Sequence, residues 1–322
     1  MLLIVSQRGD LHTDRVAAFC RQRGVEFALL YTHEFPQEVL VALEVGSGGL
    51  GGTIQLHGRE IALEQIRAVW YRRPAPVEPC RELDPAYAAF VRQEAQATLS
   101  GLYRALWDRR WVNPPHNDAA ASYKLHQLSL ARRLGFDVPR SIVTNDPDEA
   151  WDFFQSCGRE MVYKLMFPLF VDDADGEPLG VYTTRISAEE IDQHIGAVRA
   201  APCLFQALVP KQYELRINVI GRRVWAAAIY SQEHEETLLD YRHNTEGCRH
   251  APAVLPPALE AQCIDITRRL GLRMSNIDMI VTPDGRYVFL EVNPNGQWAW
   301  VEEYVGFPLT AALIDELLGM KQ

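Results

Sequence analysis

Two alternating segments joined by Thr282-Pro283-Asp284-Gly285 constrain this chain more than any other stretch. Ser275-Asn276-Ile277-Asp278-Met279-Ile280-Val281 precedes the tetrapeptide, and Arg286-Tyr287-Val288-Phe289-Leu290-Glu291-Val292-Asn293 follows it. β-Branched and aromatic residues fill both, and proline second with glycine fourth is type I turn chemistry. The pattern predicts an antiparallel hairpin. With Thr282 paired to Gly285, Asp278 falls opposite Phe289, and Glu291 becomes its diagonal neighbour on one face. Asn293 continues that face because strand side chains alternate with a period of two. Two carboxylates and an amide oxygen then converge, a hard-donor set suited to Mg²⁺. A solvated sheet face explains a lone acid; three donors in one register favour a metal site. A one-residue slip would carry Asp278 to the other face.

The 322 residues allow two or three domains. Leu2-Leu3-Ile4-Val5-Ser6, the helical pattern Val16-Ala17-Phe19-Cys20 and Phe27-Ala28-Leu29-Leu30-Tyr31 predict an opening βαβ unit. Gly46-Ser47-Gly48-Gly49-Leu50-Gly51-Gly52 matches the dinucleotide fingerprint, but an alternating strand follows where that fingerprint needs a helix. It reads as a mobile hairpin loop. Ala68 to Pro74 reads as a buried strand, 85–110 as a long helix, and Trp111-Val112-Asn113-Pro114-Pro115 as a break at a domain boundary. A second region, 116–205, carries helix 118–134, strand 140–144, a helix opened by Asp146-Pro147, and strand Met161-Val162-Tyr163-Lys164-Leu165. Its acidic 171–180 stretch has no periodicity and reads as a flexible loop. The last region, 206–322, holds strands 203–209, 214–220 and 223–230, helix 257–270, the hairpin and a helix at 308–319.

A net charge of −10 disfavours nucleic acid and anionic membrane as main partners. Nothing approaches the ~20 apolar residues that span a bilayer. Six scattered cysteines without a C-x-x-C pair fit reduced thiols in the cytoplasm. Of 32 basic residues only Lys124, Lys164, Lys211 and Lys321 are lysine, so each is a candidate for a place that needs a compact ammonium. Lys164, flanked by Val, Tyr, Leu and Met on a strand, stands out most. Lys211 and Lys321 read as solvent lysines.

At these residues the chain resembles the ATP-grasp ligases, whose metal strand reads E-x-N after an upstream acid. The resemblance implies an α/β (α+β) fold: an N-terminal domain 1–115, a central domain 116–205 with a lid at 171–180, and a C-terminal antiparallel-sheet domain 206–322 carrying the metal. It implies phosphate contacts from Lys124 and Lys164, and a hinge at Gln206, Ala207, Leu208 and Val209 that reads adenine through its backbone. Many relatives have Glu at the Ala207 position. Glu214 resembles the acid that binds ribose, and Arg216 shares its strand face, directed at phosphate and reacting carboxylate. Val69-Trp70-Tyr71-Arg72-Arg73-Pro74, Glu214-Leu215-Arg216, Asp240-Tyr241-Arg242 and Asn293-Pro294-Asn295-Gly296-Gln297-Trp298 resemble the microviridin-type ligases, which macrocyclise ribosomal peptides (graspetides). In them the Asp-x-Arg arginine grips an acidic core side chain; without that resemblance Asp240 and Arg242 are a surface ion pair. The implied activity uses ATP and Mg²⁺ to phosphorylate Asp or Glu of a precursor peptide, then closes it with Ser, Thr or Lys. Asp240 is a candidate base, with holding Arg242 in place as its alternative role, and a homodimer is compatible with the resemblance. Two rivals share the same residues: a ligase that joins amino acids or extends a protein terminus, and a non-catalytic nucleotide-binding regulator.

Overall fold

The computed structural model describes residues 1–80, 82–166 and 182–320, and the backbone alone of 170–172 and 178–180. The chain begins as its apolar runs dictate. Leu2–Ser6 is buried along its length and pairs in parallel with Phe27–Tyr31 on one side and Ala68–Tyr71 on the other. The helix between, Leu11–Arg23, is capped by Asp10, which accepts from Thr13 N at 2.8 Å, and ends at Gly24 with φ +66°. Arg110–Val112, expected only to break a helix, is the fourth strand of this sheet, parallel to Ala68–Tyr71. Asn113 just beyond it is buried; its amide donates to the Met274 carbonyl at 2.8 Å and accepts from Arg273 N at 2.9 Å.

The glycine-rich stretch does form a hairpin, but most of it is strand. Leu40–Gly46 pairs with Gly49–Leu56, which also pairs with Arg59–Ala62. Gly52 adopts φ +141°, and a Cβ there would overlap the Ala42 carbonyl oxygen. Gly52→Ala is therefore expected to lower stability by about 1–3 kcal/mol, seen as an earlier urea midpoint with unchanged activity per folded molecule. No loss would remove the close approach from the account.

The helix expected at 118–134 is two, Pro115–Ala121 and Lys124–Arg133. Ser122 Oγ bonds back to the Asp118 carbonyl at 2.9 Å, and Tyr123 is extended at φ −74°, ψ 103°, so the chain breaks between them. Lys124 consequently opens a helix instead of lying midway along one. A four-stranded antiparallel sheet follows in the order Thr184–Ile186, Met161–Lys164, Cys203–Ala207, Ser141–Thr144. Helix Pro147–Ser156, capped by Asp146, packs Phe153 and Phe154 against it. Of the expected lid at 171–180, residues 173–177 lie outside the described residues; the flanking backbone, Phe170–Asp172 and Pro178–Gly180, pairs antiparallel.

The last sheet is five antiparallel strands in the order His250–Ala253, Arg223–Ile229, Tyr213–Ile220, Met274–Val281, Tyr287–Asn293. Leu215, Ile217, Met279 and Phe289 face helix Pro257–Arg269 and close one core. Helix Leu309–Leu318 buries Leu313, Ile314 and Leu317 against Leu2, Ile4 and Trp70 of the first sheet and against Ile220 and Ala227 of this one. Each such side chain contributes about 1.5–3 kcal/mol of burial, so the final helix fastens the first sheet to the last. No helix among the described residues is long and apolar enough to cross a membrane.

Candidate functional site

The hairpin carries the site, with a register the turn alone does not give. Gly285 N donates to the Thr282 carbonyl at 2.8 Å, and Thr282 N to the Arg286 carbonyl at 3.0 Å. Gly285, at φ +82°, is thus an extra residue that moves the pairing by one. A second irregularity leaves Leu290 unpaired: Met279 faces Phe289, but Asp278 faces Glu291 and Asn276 faces Asn293. Either irregularity alone would turn Asp278 to the wrong face. Together they shift the register by two and restore it, replacing the expected diagonal of Asp278 and Glu291 with a direct cross-strand pair.

Asn293 Nδ2 donates to Asp278 Oδ2 at 2.9 Å and to Glu291 Oε1 at 3.2 Å. All three expected donors therefore meet. Among the described residues no cluster of three or more His, Cys, Asp or Glu could hold a metal ion, so a cation here would rest on two carboxylates and one amide. That set fits Mg²⁺, which keeps water and phosphate oxygens in its remaining positions. Turning the amide of Asn293 about its terminal bond presents Oδ1 in place of Nδ2.

Cations surround the pair. Lys124 Nζ lies 2.9 Å from Glu291 Oε2. Burial would raise the Glu291 carboxyl, but Lys124 and Lys164 outweigh it and hold it well below the usual carboxylate range. At Asp278 burial wins and pushes the carboxyl up to about 6, against the pull of Arg216 and helped by the charge of Glu291. The environments thus drive two facing carboxylates apart, a common feature of functional sites. Lys164 Nζ makes no hydrogen bond or ion pair among the described residues, and burial lowers its pKa. It borders a cleft of about 290 Å³ that also exposes Asp278, Glu291, Glu214 and Asp240. An unpaired ammonium in such a cleft suits an anionic ligand.

Arg216 is placed differently from its expected direction toward phosphate and substrate. Its Nη1 donates to both carboxylate oxygens of Asp278 at 2.7 Å, and Nη2 donates to the Gln297 carbonyl at 3.0 Å. It holds Asp278 from the neighbouring strand, as its direct cross-strand partner. Asp240 and Arg242 pair as expected, with Arg242 Nε 2.8 Å from Asp240 Oδ1 and Nη2 on Oδ2. Burial would raise the Asp240 carboxyl, but the hydrogen bonds and charge of Arg242, with the Arg242 and Thr183 N–H groups, hold it at about 2. Such a carboxylate is a poor base near neutrality and a good anchor. Arg242 remains half exposed.

Along the hinge, Ala207 N bonds the Arg140 carbonyl and Leu208 N the Glu160 carbonyl, both at 2.9 Å. Val209 borders the cleft, and its N–H has no partner among the described residues. Gln206 is buried and donates to Ser141 Oγ at 2.9 Å. Glu214 lines the cleft with Lys211, and here the reading of a solvent lysine fails. Lys211 Nζ lies 2.7 Å from Glu214 Oε1, and both side chains are under a tenth exposed. Three of the four lysines therefore reach one site; Lys321 lies outside the described residues. Lysine scarcity pointed to all of them.

Two positioning groups lie outside the lysine signal: Gln127, in no quoted motif, and Arg72, within the Val69–Pro74 motif. Gln127, three residues after Lys124, is buried and clamps the backbone between Glu291 and Asn293: Nε2 donates to Val292 O at 2.7 Å and Oε1 accepts from Val292 N at 2.9 Å. Arg72, also buried, donates to the Asn295 and Gly296 carbonyls at 2.6 and 3.1 Å and is held by Asp10 and His12.

Residues 1–119 match the MvdD pre-ATP grasp domain, and residues 121–317 match the RimK-like ATP-grasp domain. Macrocyclase MdnB from Microcystis aeruginosa MRC superposes with a TM-score of 0.82 at 32% identity, covering 98% of each chain. A Chryseobacterium gregarium RiPP-associated ATP-grasp ligase, solved in complex with ADP and a leader and core peptide, superposes with a TM-score of 0.92 at 26% identity, covering 100% of this chain and 97% of that one. Among curated sequences, a probable alpha-L-glutamate ligase of Pectobacterium carotovorum is 29% identical over 245 residues, 73% of this chain and 77% of that protein.

Proposed function

This chain belongs to the RimK-like ATP-grasp family and is an ATP-grasp ligase, and on that premise we propose that it macrocyclises a peptide through activated Asp or Glu side chains. ATP is the phosphoryl donor and Mg²⁺ the metal. The observation that carries the peptide reading is the Arg242 fork. Asp240 engages Nε and Nη2, and Nη1 of this half-exposed guanidinium beside the cleft has no partner among the described residues, which leaves it for a substrate carboxylate. The alignment with peptide-bound ligases over the whole chain supports the same assignment.

In the first half-reaction an oxygen of the peptide carboxylate attacks the γ-phosphorus of ATP. The bond to the β–γ bridging oxygen breaks, leaving an acyl phosphate and ADP. Lys124 and Lys164 neutralise charge on the transferring phosphoryl group, and Arg242 aligns the attacking carboxylate. Mg²⁺ held by Asp278, Glu291 and Asn293 would add Lewis-acid neutralisation of the phosphate oxygens. Arg216 keeps Asp278 in place, and Val209 N and Glu214 recognise adenine and ribose. In the second half-reaction a Ser or Thr hydroxyl or a Lys amine attacks the acyl carbon. Phosphate leaves, taking up the proton that the nucleophile gives up, and an ester or amide closes the ring.

Intact mass spectrometry separates this reading from its rival. Short acidic peptides rich in Thr, Ser and Lys, encoded beside the gene, are incubated with the protein, ATP and Mg²⁺. Each ring should remove one water mass, only when ATP is present. The sequence match to a glutamate ligase favours the rival, which predicts gain of a glutamyl residue mass when free glutamate is supplied. Addition without dehydration would replace macrocyclisation with terminus extension.

A further inference from the structure

Lys211 has a contact pattern unlike the other two lysines of the cleft. Its ammonium donates to Glu214 Oε1 at 2.7 Å and to the Leu239 carbonyl at 2.9 Å. Two of its three protons are thereby fixed, and with them the direction of the carboxylate. Glu214 Oε2 has no partner among the described residues, and Glu214 borders the cleft. One oxygen is anchored and the other is an open acceptor.

We propose that Lys211 is a positioning residue that aims Glu214 at the ribose hydroxyls of the nucleotide and thereby sets the preference for ribo- over deoxyribonucleotides. The proposal rests on the reading of this cleft as an ATP site. A vicinal diol offers two donors, and a carboxylate with one free oxygen at a fixed angle accepts from it selectively. A carboxylate free to rotate in the same space would re-aim at whichever hydroxyl remained, and discrimination would fall. The second anchor extends the effect. Leu239 directly precedes Asp240, so the ammonium that orients the ribose acceptor also fixes the backbone leading to the Asp240–Arg242 pair. The simpler role, neutralising a buried carboxylate, needs the charge but not this geometry, and that difference can be measured.

Equilibrium titration of the full chain with Mg²⁺ and ATP, 2′-deoxy-ATP or 3′-deoxy-ATP reads it. The wild type should bind ATP at least about tenfold more tightly than the weaker deoxy nucleotide, the factor expected for one hydrogen bond to a charged group. Lys211→Met should weaken ATP and bring that ratio to within about twofold of unity. Lys211→Arg keeps the charge, and with it the fold. Its fork takes both carboxylate oxygens, so the ratio should collapse there too. An unchanged ratio in Lys211→Arg overturns the proposal while leaving the ATP reading intact. A wild type that binds ATP with no such preference overturns it as well. A wild type that binds no ATP overturns both readings.

Discussion

Replacing Glu291 by glutamine is expected to reduce peptide-dependent ADP release by about 10³-fold while the protein stays folded. Glutamine has the same shape, keeps the strand pairing opposite Asp278 and still offers one oxygen to Asn293. What it removes is the charge that faces Lys124 at 2.9 Å and the stronger of the two acids in the proposed cation site. The acid is held well below its usual range, so its pairing stabilises the fold above the ordinary carboxylate pKa and is lost as pH falls through the depressed one. The variant should therefore melt slightly lower than the wild type at neutral pH, and the gap should close on acidification. A coupled ADP assay with circular dichroism on the same samples checks both points. Turnover close to wild type would remove Glu291, and with it the cation site, from the mechanism.

The elements of that site were legible because their signals are local. Thr282 to Gly285 has turn chemistry, the flanking strands alternate, and the lysines stand out in an arginine-rich chain. Its register was not. The extra residue at Gly285 follows from a positive φ that the tetrapeptide permits but does not demand. The unpaired Leu290 coincides with a contact far off in sequence, Phe289 N donating to the Asp137 carbonyl at 2.8 Å. Two one-residue errors cancelled, so the face was right for an incomplete reason. Arg110–Val112 escaped notice because three residues carry too little pattern to mark a strand; Ala68–Tyr71 beside it supplies the partner. The helix at 118–134 was over-extended because Ser122 and Tyr123 are individually compatible with helix, and only the fold makes the break visible. Lys211 read as a solvent lysine because nothing local marks its burial; one of its partners, the Leu239 carbonyl, lies 28 residues away.

Arg242→Lys is expected to lower turnover of the peptide by about 10²-fold while changing nucleotide affinity by less than about twofold. The side chain is split between two tasks. Nε and Nη2 bond Asp240, and Nη1 has no partner among the described residues. A lysine can keep the ion pair or meet a substrate carboxylate, but its point charge cannot reproduce a planar fork that does both. The nucleotide contacts assigned to Val209, Glu214, Lys124 and Lys164 do not pass through it, so the loss should fall on the peptide. The pair is also insensitive to pH where the enzyme would work. Asp240 is held at about 2, below the ordinary carboxylate range, so its stabilisation is complete above the ordinary carboxylate pKa and fades only as pH falls through about 2. An acid limb in the rate profile above pH 4 must then come from another group, and Asp240→Asn should leave that limb where it is. Turnover measured against peptide concentration, beside a direct titration with ATP, separates the outcomes. Equal losses of ATP affinity and peptide turnover would make Arg242 part of the nucleotide site, and no loss in either would leave the Asp240–Arg242 pair a surface ion pair after all.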